Sequence, residues 1–228
     1  MDHEYEKKAK DDGLFKVSAL YGKVALDWSH DPHGSIALDW SHNPHGEMSA
    51  WGNCFQSAAQ ALVRDLSKRS TYADREACPI VFLYRHSLEL SLKALILETA
   101  TLMRLEGGEL LFSKDMLGTH KLEPLLKLLE QTFARFNKPW VVGQELVCSY
   151  DDVAKLVKEF DRFDAGSFAF RYPVNKSFES SALPNHLQFN IFEFSRKVDS
   201  VLEILQRLVE VVDKEVDKSL LDEPDEME

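Results

Sequence analysis

The sequence predicts an all-α protein, an up-and-down bundle of about five helices that follows an N-terminal arm. Apolar residues recur at three- and four-residue spacing in five segments after residue 48, as expected for helices that bury one face. Loops containing glycine or proline separate several of these segments. The chain of 228 residues suits one such domain. We therefore divide it into an arm (1–48), a bundle (49–220) and an acidic tail (221–228).

The arm contains a tandem repeat. Residues 25–36 read ALDWSHDPHGSI and residues 37–48 read ALDWSHNPHGEM. Apolar residues alternate with polar or small ones in each copy, and residues typical of turns follow, so we predict a short extended or β-hairpin arm over residues 20–48. The repeat also holds two HxxH pairs, which lie at His30, His33, His42 and His45. Imidazole groups can bind zinc or nickel, but the prolines already account for the turns, and we predict no metal site.

The first four predicted helices cover about 49–68, 78–102, a segment that begins close to Lys121, and 150–163. The predicted inward residues of the first helix are Trp51, Phe55, Ala58, Ala59, Leu62, Val63 and Leu66. Those of the third are Leu122, Leu125, Leu126, Leu129 and Phe133, and those of the fourth are Val153, Leu156, Val157 and Phe160.

The last predicted helix is the longest and runs from about Leu187 to Lys218. Its apolar stripe is wider than a two-stranded seam requires, which favours packing against several helices. The stretch before it contains two prolines and several serines, and we predict an irregular loop there. Long loops inside compact domains are often functional.

The second helix carries an unexpected set of ionisable residues. It is apolar in nearly every direction, yet Arg85, Glu89 and Lys93 recur at four-residue spacing with His86 beside them. Because unpaired charges are rarely buried, we expect these groups to face the interior or a dimer interface, and there to pair, to reach a partner chain or to line a cavity. One interpretation is a structural ion ladder. The other is an anion-binding cleft, in which Arg85 and Lys93 face phosphate, Glu89 orients them and His86 moves a proton.

Three further residues are candidates for the same cleft. His120, at the start of the third helix, either caps that turn, packs against a neighbour or joins His86. Arg171 and Tyr172 lie on the long loop, where the proline after Tyr172 favours an extended backbone. Arg171 either docks the loop onto a carboxylate such as Glu89 or contacts a substrate phosphate. If Arg85 and Arg171 both met Glu89, one positive charge would remain for an anionic ligand.

Composition excludes several classes of function. The net charge of −11 argues against non-specific DNA binding, which needs a basic surface. Three scattered cysteines and the lack of a secretory signal favour a reducing, cytoplasmic setting. The longest apolar run is too short to span a bilayer. The sequence has no glycine-rich phosphate loop and no nucleophile elbow, and we expect no cofactor.

Three motifs together resemble the HEPN domain, the higher eukaryotes and prokaryotes nucleotide-binding domain. They are YRHSLELSLKALI (84–96), GTHKLEPLLKLL (118–129) and FRYP (170–173), and the resemblance covers roughly residues 49–215. It implies a helical bundle and a homodimer. Many HEPN domains are metal-independent ribonucleases, in which four to six residues separate an arginine from the histidine that follows it. That pattern is absent here, so the chain resembles a divergent member.

The resemblance leaves two hypotheses. The first is a non-catalytic module that binds RNA or a nucleotide, or assembles with a partner such as a nucleotidyltransferase, in bacterial stress response, toxin–antitoxin pairing or phage defence. The second is a metal-independent endoribonuclease in which Arg85, His86, Glu89 and His120 form the catalytic cleft. Lys93, Arg171 and Tyr172 would bind the ligand in either case. The absent arginine-to-histidine pattern favours the first hypothesis.

Overall fold

The computed structural model describes residues 47–108, 114–135, 150–184 and 186–221. These residues form five α-helices: α1 (Glu47–Lys68), α2 (Ala77–Leu105), α3 (Leu122–Arg135), α4 (Tyr150–Asp164) and α5 (Ile191–Leu221). Two 3-10 turns, Asp74–Glu76 and Lys114–Gly118, precede α2 and α3. The described ranges contain no strand, which confirms the all-α fold. The repeat up to residue 46, with its histidines, Cys148 and the tail after residue 221 lie outside the described residues.

Helix α2 is the central element of the bundle. It packs against α1, α3 and α5, and its side chains are buried around most of its circumference. Leu88, Leu92 and Leu95 are all 0% exposed. This arrangement confirms the expectation that a helix apolar on every side lies inside the bundle.

Helix α1 presents a different face to the core from the one predicted. Its buried residues are Gly52, Gln56, Ala59 and Leu66, whereas Trp51 and Leu62 are 41% and 39% exposed. The cause is a close approach between α1 and α2. A Cβ added at Gly52 would lie 3.3 Å from Ser91 Oγ, and Ser87 Oγ donates a 2.8 Å hydrogen bond to the Gly52 carbonyl. The predicted inward face is therefore wrong at Trp51, Ala58 and Leu62, which are exposed, and confirmed at Ala59 and Leu66.

Helix α5 begins at Ile191, four residues later than predicted. The side-chain oxygen of Asn190 accepts hydrogen bonds from the backbone N–H groups of Phe192 (3.0 Å) and Glu193 (3.1 Å). Asn190 is thus the N-cap, and residues 187–190 are not helical. The predicted apolar series of α5 is confirmed at its buried positions, which include Ile191, Val198, Val201, Leu205, Leu208 and Val212.

A polar network joins three helices at Asp199 of α5. Its carboxylate accepts hydrogen bonds from Tyr84 Oη (2.9 Å), Gln56 Nε2 (2.8 Å) and Gln60 Nε2 (2.9 Å). Burial, together with the charge of Asp199, raises the pKa of Tyr84, so the phenol stays a neutral donor. The network connects α1 and α2 to α5, and its three side-chain donors compensate the Asp199 carboxylate for the water that it loses on burial.

None of the helices in the described ranges has both the length and the apolar composition required to cross a bilayer. Cys54 is exposed and Cys78 half-buried, and neither forms a disulfide.

Candidate functional site

The ionisable stripe of α2 faces the interior of the bundle, as the sequence predicts. Arg85 is 0% exposed, Glu89 1% and Lys93 8%. The predicted pairs are also formed: Arg85 Nη1 lies 3.5 Å from Glu89 Oε2, and Lys93 Nζ lies 2.8 Å from Glu89 Oε1. Glu89 therefore links the two cations along one face of the helix.

Each of the three nitrogens of the Arg85 guanidinium contacts a protein group. Nη2 donates a 2.7 Å hydrogen bond to the carbonyl of His120, and Nε donates a 3.0 Å hydrogen bond to the carbonyl of Asp164. Besides Glu89, it faces the carboxylates of Asp161 (3.5 Å) and Asp164 (3.7 Å). Since Arg85 has no exposed surface, a ligand can reach it only if these contacts break.

Asp161 and Asp164, at the end of α4, did not emerge from the sequence as site residues. Asp161 accepts hydrogen bonds from the backbone N–H groups of Leu122 (3.2 Å) and Glu123 (2.8 Å), and so caps α3 from another helix. Asp164 Oδ1 accepts hydrogen bonds from the N–H groups of Phe168 and Ala169 in the loop that follows. Its second oxygen, Oδ2, is buried without a hydrogen bond, 3.7 Å from Arg85 Nε.

Glu89 is the centre of charge in the site. Burial alone raises the pKa of its carboxyl, but the hydrogen bonds and charges of Lys93 and His120 outweigh burial, and the net pKa lies below its usual value. Glu89 is therefore a carboxylate at neutral pH, and an ionised carboxylate can only accept hydrogen bonds.

His120 is the exposed end of this cluster. Its Nδ1 lies 3.0 Å from Glu89 Oε1, while 64% of its side chain is exposed to solvent. Since Glu89 only accepts, Nδ1 carries the hydrogen, and the neutral ring has its unprotonated nitrogen at Nε2. A buried carboxylate that fixes the tautomer and orientation of a histidine is the arrangement by which enzymes position a general base.

His86 has a different environment. It is half-buried between two rings, with centroid distances of 4.5 Å to Phe55 and 5.9 Å to Phe82. Burial is the main cause that lowers its pKa, so the ring is neutral at pH 7. Within the described part of the chain His86 makes no hydrogen bond, and it shares none with Glu89 or His120.

Arg171 does not reach Glu89, so the condition for an unbalanced arginine on that carboxylate is not met. Its guanidinium lies 5.6 Å from the ring centroid of Phe82 and 5.8 Å from that of Tyr172. Tyr172 stacks on Phe168 with centroids 4.6 Å apart, and Lys176 Nζ lies 5.8 Å from the Phe168 ring. We call Phe168, Arg171, Tyr172 and Lys176 the loop patch.

The loop patch and the α2 stripe meet at Phe82. The guanidinium of Arg171 lies near the Phe82 ring, and the Phe82 ring stacks on that of His86 with ring planes 6° apart. His86 and Glu89 are one turn apart on the same helix. The seven residues that the sequence singles out thus fall into four places. Arg85, Glu89 and Lys93 form a buried charge cluster with the exposed His120 at its end. His86 lies half-buried between aromatic rings, and Arg171 and Tyr172 belong to the neighbouring loop patch.

Across the described ranges, no three histidine, cysteine, aspartate or glutamate side chains are placed to hold a metal ion. Comparisons with protein-family models, curated protein sequences and solved structures return no match to this chain.

Proposed function

We propose that this chain is a HEPN-like module that binds RNA or a nucleotide and assembles with a partner in a bacterial stress, toxin–antitoxin or phage-defence system. The loop patch is the observation that carries the proposal. It puts two stacked aromatic rings and two cations on one loop, and 47% of Tyr172 is exposed. Proteins that bind single-stranded nucleic acid use this combination of side chains, because the bases stack on aromatic rings and the phosphates pair with cations.

The contacts that Arg85 makes with other protein groups favour a binding module over an enzyme. An arginine that stabilises a transition state has to contact the phosphoryl group. Arg85 instead donates to two backbone carbonyls and faces three carboxylates, with no exposed surface. Its role is to hold α2, α4 and the start of α3 together.

The proposal predicts that Tyr172→Leu weakens the binding of a labelled single-stranded oligonucleotide. Loss of a stacking ring costs about 1–3 kcal/mol per base, so we expect the Kd to rise about tenfold. Fluorescence anisotropy with a set of short single-stranded RNAs measures the change. Arg171→Gln is expected to weaken binding as well and to reduce its dependence on salt.

The chain offers a matched control for each variant. Tyr72 is 45% exposed in the connection between α1 and α2, so Tyr72→Leu removes a similarly exposed ring outside the loop patch. Arg207 is exposed on α5, so Arg207→Gln removes one positive charge elsewhere. If these two variants bind RNA as poorly as Tyr172→Leu and Arg171→Gln, or if the parent binds no RNA or nucleotide, the proposal is wrong.

One observation favours the alternative, a metal-independent endoribonuclease. Glu89 fixes an exposed His120 in the tautomer that a general base needs. In this alternative, Nε2 of His120 takes the proton of a ribose 2′-hydroxyl, and the 2′-oxygen attacks the adjacent phosphorus. The bond from phosphorus to the 5′-oxygen breaks, the 5′-oxygen takes a proton from water, and a 2′,3′-cyclic phosphate remains. The chemistry requires no metal.

The alternative predicts cleavage of RNA in the presence of a chelator, together with a loss of about 10²–10⁴-fold in His120→Asn, the usual contribution of a general acid or base. His186 is also exposed, and His186→Asn is the control because asparagine tolerates its positive φ. Cleavage products resolved by gel and mass spectrometry would show the cyclic phosphate. An uncleaved RNA pool, or equal cleavage by the parent and His120→Asn, would exclude His120 as the base.

The proposal also includes a cytoplasmic location, which the scattered cysteines favour, and a homodimer, which the resemblance to HEPN domains implies. Light scattering during gel filtration is expected to give twice the mass of the chain.

A further inference from the structure

We propose that an apolar cavity between α4, α5 and the segment before α5 is a binding site for a small organic cation with an aromatic or apolar body. The cavity has a volume of about 460 Å³, which is within the range of small-molecule sites. None of its lining residues belongs to the loop patch, so the inference does not depend on the proposed function. Five phenylalanines contribute to its wall: Phe160, Phe163, Phe170, Phe189 and Phe194.

The rings of the wall pack edge to face instead of stacking in parallel. Phe194 meets Phe160 at 76° and Phe189 at 63°, with centroid distances of 5.7 and 5.6 Å. The face of a phenyl ring carries partial negative charge, so a cation within about 6 Å of it is attracted. One lining ring already has such a partner, because the guanidinium of Arg162 lies 5.1 Å from the Phe163 centroid.

The charged residues of the wall also favour a cation. Glu159, Glu193 and Lys197 line the cavity, so two carboxylates face one ammonium. Lys197 Nζ is paired with Glu193 at 2.8 Å. Glu159 makes no hydrogen bond or ion pair with the rest of the described chain, and Arg162, three residues later, lies over Phe163. The wall therefore has a net charge of −1 that Glu159 carries.

The N-terminus of α5 also borders the cavity, and a helix N-terminus attracts anions. Here that end is already satisfied, because Asn190 Oδ1 accepts the N–H groups of Phe192 and Glu193, and the carboxylate of Glu193 lies in the first turn. The carboxylate of Glu159 is the charge in the wall that has no counterion among the described residues, and a negative charge favours a cationic ligand. Aromatic rings with one carboxylate are the elements that recognise alkylammonium groups.

Three probes that share a benzyl or phenyl body and differ in charge test the inference: benzyltrimethylammonium, benzyl alcohol and phenylacetate. We expect calorimetry or protein NMR titration to show that the cation binds about three- to thirtyfold more tightly than the alcohol, the factor that cation–π and carboxylate attraction supply. Phenylacetate is expected to bind most weakly. The perturbed NMR signals should belong to residues 159–163 and 187–197.

Two variants identify which groups are responsible. Glu159→Gln removes the charge, and Phe189→Leu removes a ring at a position 44% exposed, so that neither disturbs the core. Both are expected to weaken the cation about three- to tenfold and to leave benzyl alcohol unchanged. Glu203→Gln, an equal charge change on the exposed side of α5, should leave all three affinities as they are. Equal binding of cation and alcohol, preference for phenylacetate, or no binding at millimolar concentration would each overturn the proposal.

Discussion

Replacing Arg85 by methionine is expected to lower the free energy of unfolding by about 3–5 kcal/mol, the usual cost of removing one partner from a buried ion pair. Arg85 is fully buried, and the carboxylates of Glu89, Asp161 and Asp164 all face its guanidinium. Methionine leaves those charges without their main counterion. It also leaves the carbonyls of His120 and Asp164 without a donor. Urea unfolding at pH 7, followed by far-UV circular dichroism, measures the loss.

A second variant separates charge from shape. Asp164→Asn keeps Oδ1, which accepts hydrogen bonds from the N–H groups of Phe168 and Ala169. It replaces Oδ2, which has no hydrogen bond, by an amide group and so removes the negative charge. The double variant Arg85→Met/Asp164→Asn should therefore be more stable than Arg85→Met alone. Arg207→Met, on an exposed position of α5, should change stability by no more than about 0.5 kcal/mol. Equal losses in Arg85→Met and Arg207→Met would show that the buried charge cluster contributes nothing.

The sequence predicts the helices well because, within each helix, apolar residues recur at three- and four-residue spacing. The boundaries of α2 and α4 lie within three residues of those predicted. The inward direction of the stripe followed from one physical rule: Arg85, Glu89 and Lys93 are on a helix that has no polar side on which to expose them.

The rotation of α1 was not predictable from the same kind of pattern. Trp51 and Leu62 are large apolar residues at three- and four-residue spacing from other apolar residues, so the local sequence pattern places them inward. The contact at Gly52 decides otherwise, because a glycine lets the backbones of α1 and α2 approach each other. Such an approach depends on Ser87 and Ser91, which are more than thirty residues away in sequence.

The partners of Arg85 are equally distant in sequence. The bond to the Asp164 carbonyl joins residues 79 positions apart, and no local motif marks it. One signal was present: Asp164 continues the inward series of Val153, Val157 and Phe160 at three- and four-residue spacing, and all four are buried. An acidic residue on a core face is a candidate partner for a buried arginine. The contact between His120 and Glu89 had no comparable signal, because His120 precedes α3 and follows a loop.

Glu89→Gln is expected to destabilise the protein by about 3 kcal/mol at pH 7, since it removes the charge that Lys93 and Arg85 both face in the interior. Glutamine keeps the size of the side chain, so the loss reports on charge. Glu210→Gln, on an exposed position of α5, is the control and should be close to neutral.

The cost of Glu89→Gln should also depend on pH in one direction. The folded-state pKa of Glu89 is lowered by Lys93 and His120 despite burial, so the ionised form contributes stability above the unfolded pKa, which is about 4.3. That contribution disappears as the pH falls through the folded pKa, below this value. The difference in unfolding free energy between the parent and Glu89→Gln should thus be constant from about pH 7 to 5 and shrink below about pH 4. Other carboxyls titrate in both proteins and largely cancel in the difference. A gap of the same size at pH 7 and pH 3 would mean that Glu89 acts through its shape, and the account of a charged centre that holds Lys93, Arg85 and His120 together would be wrong.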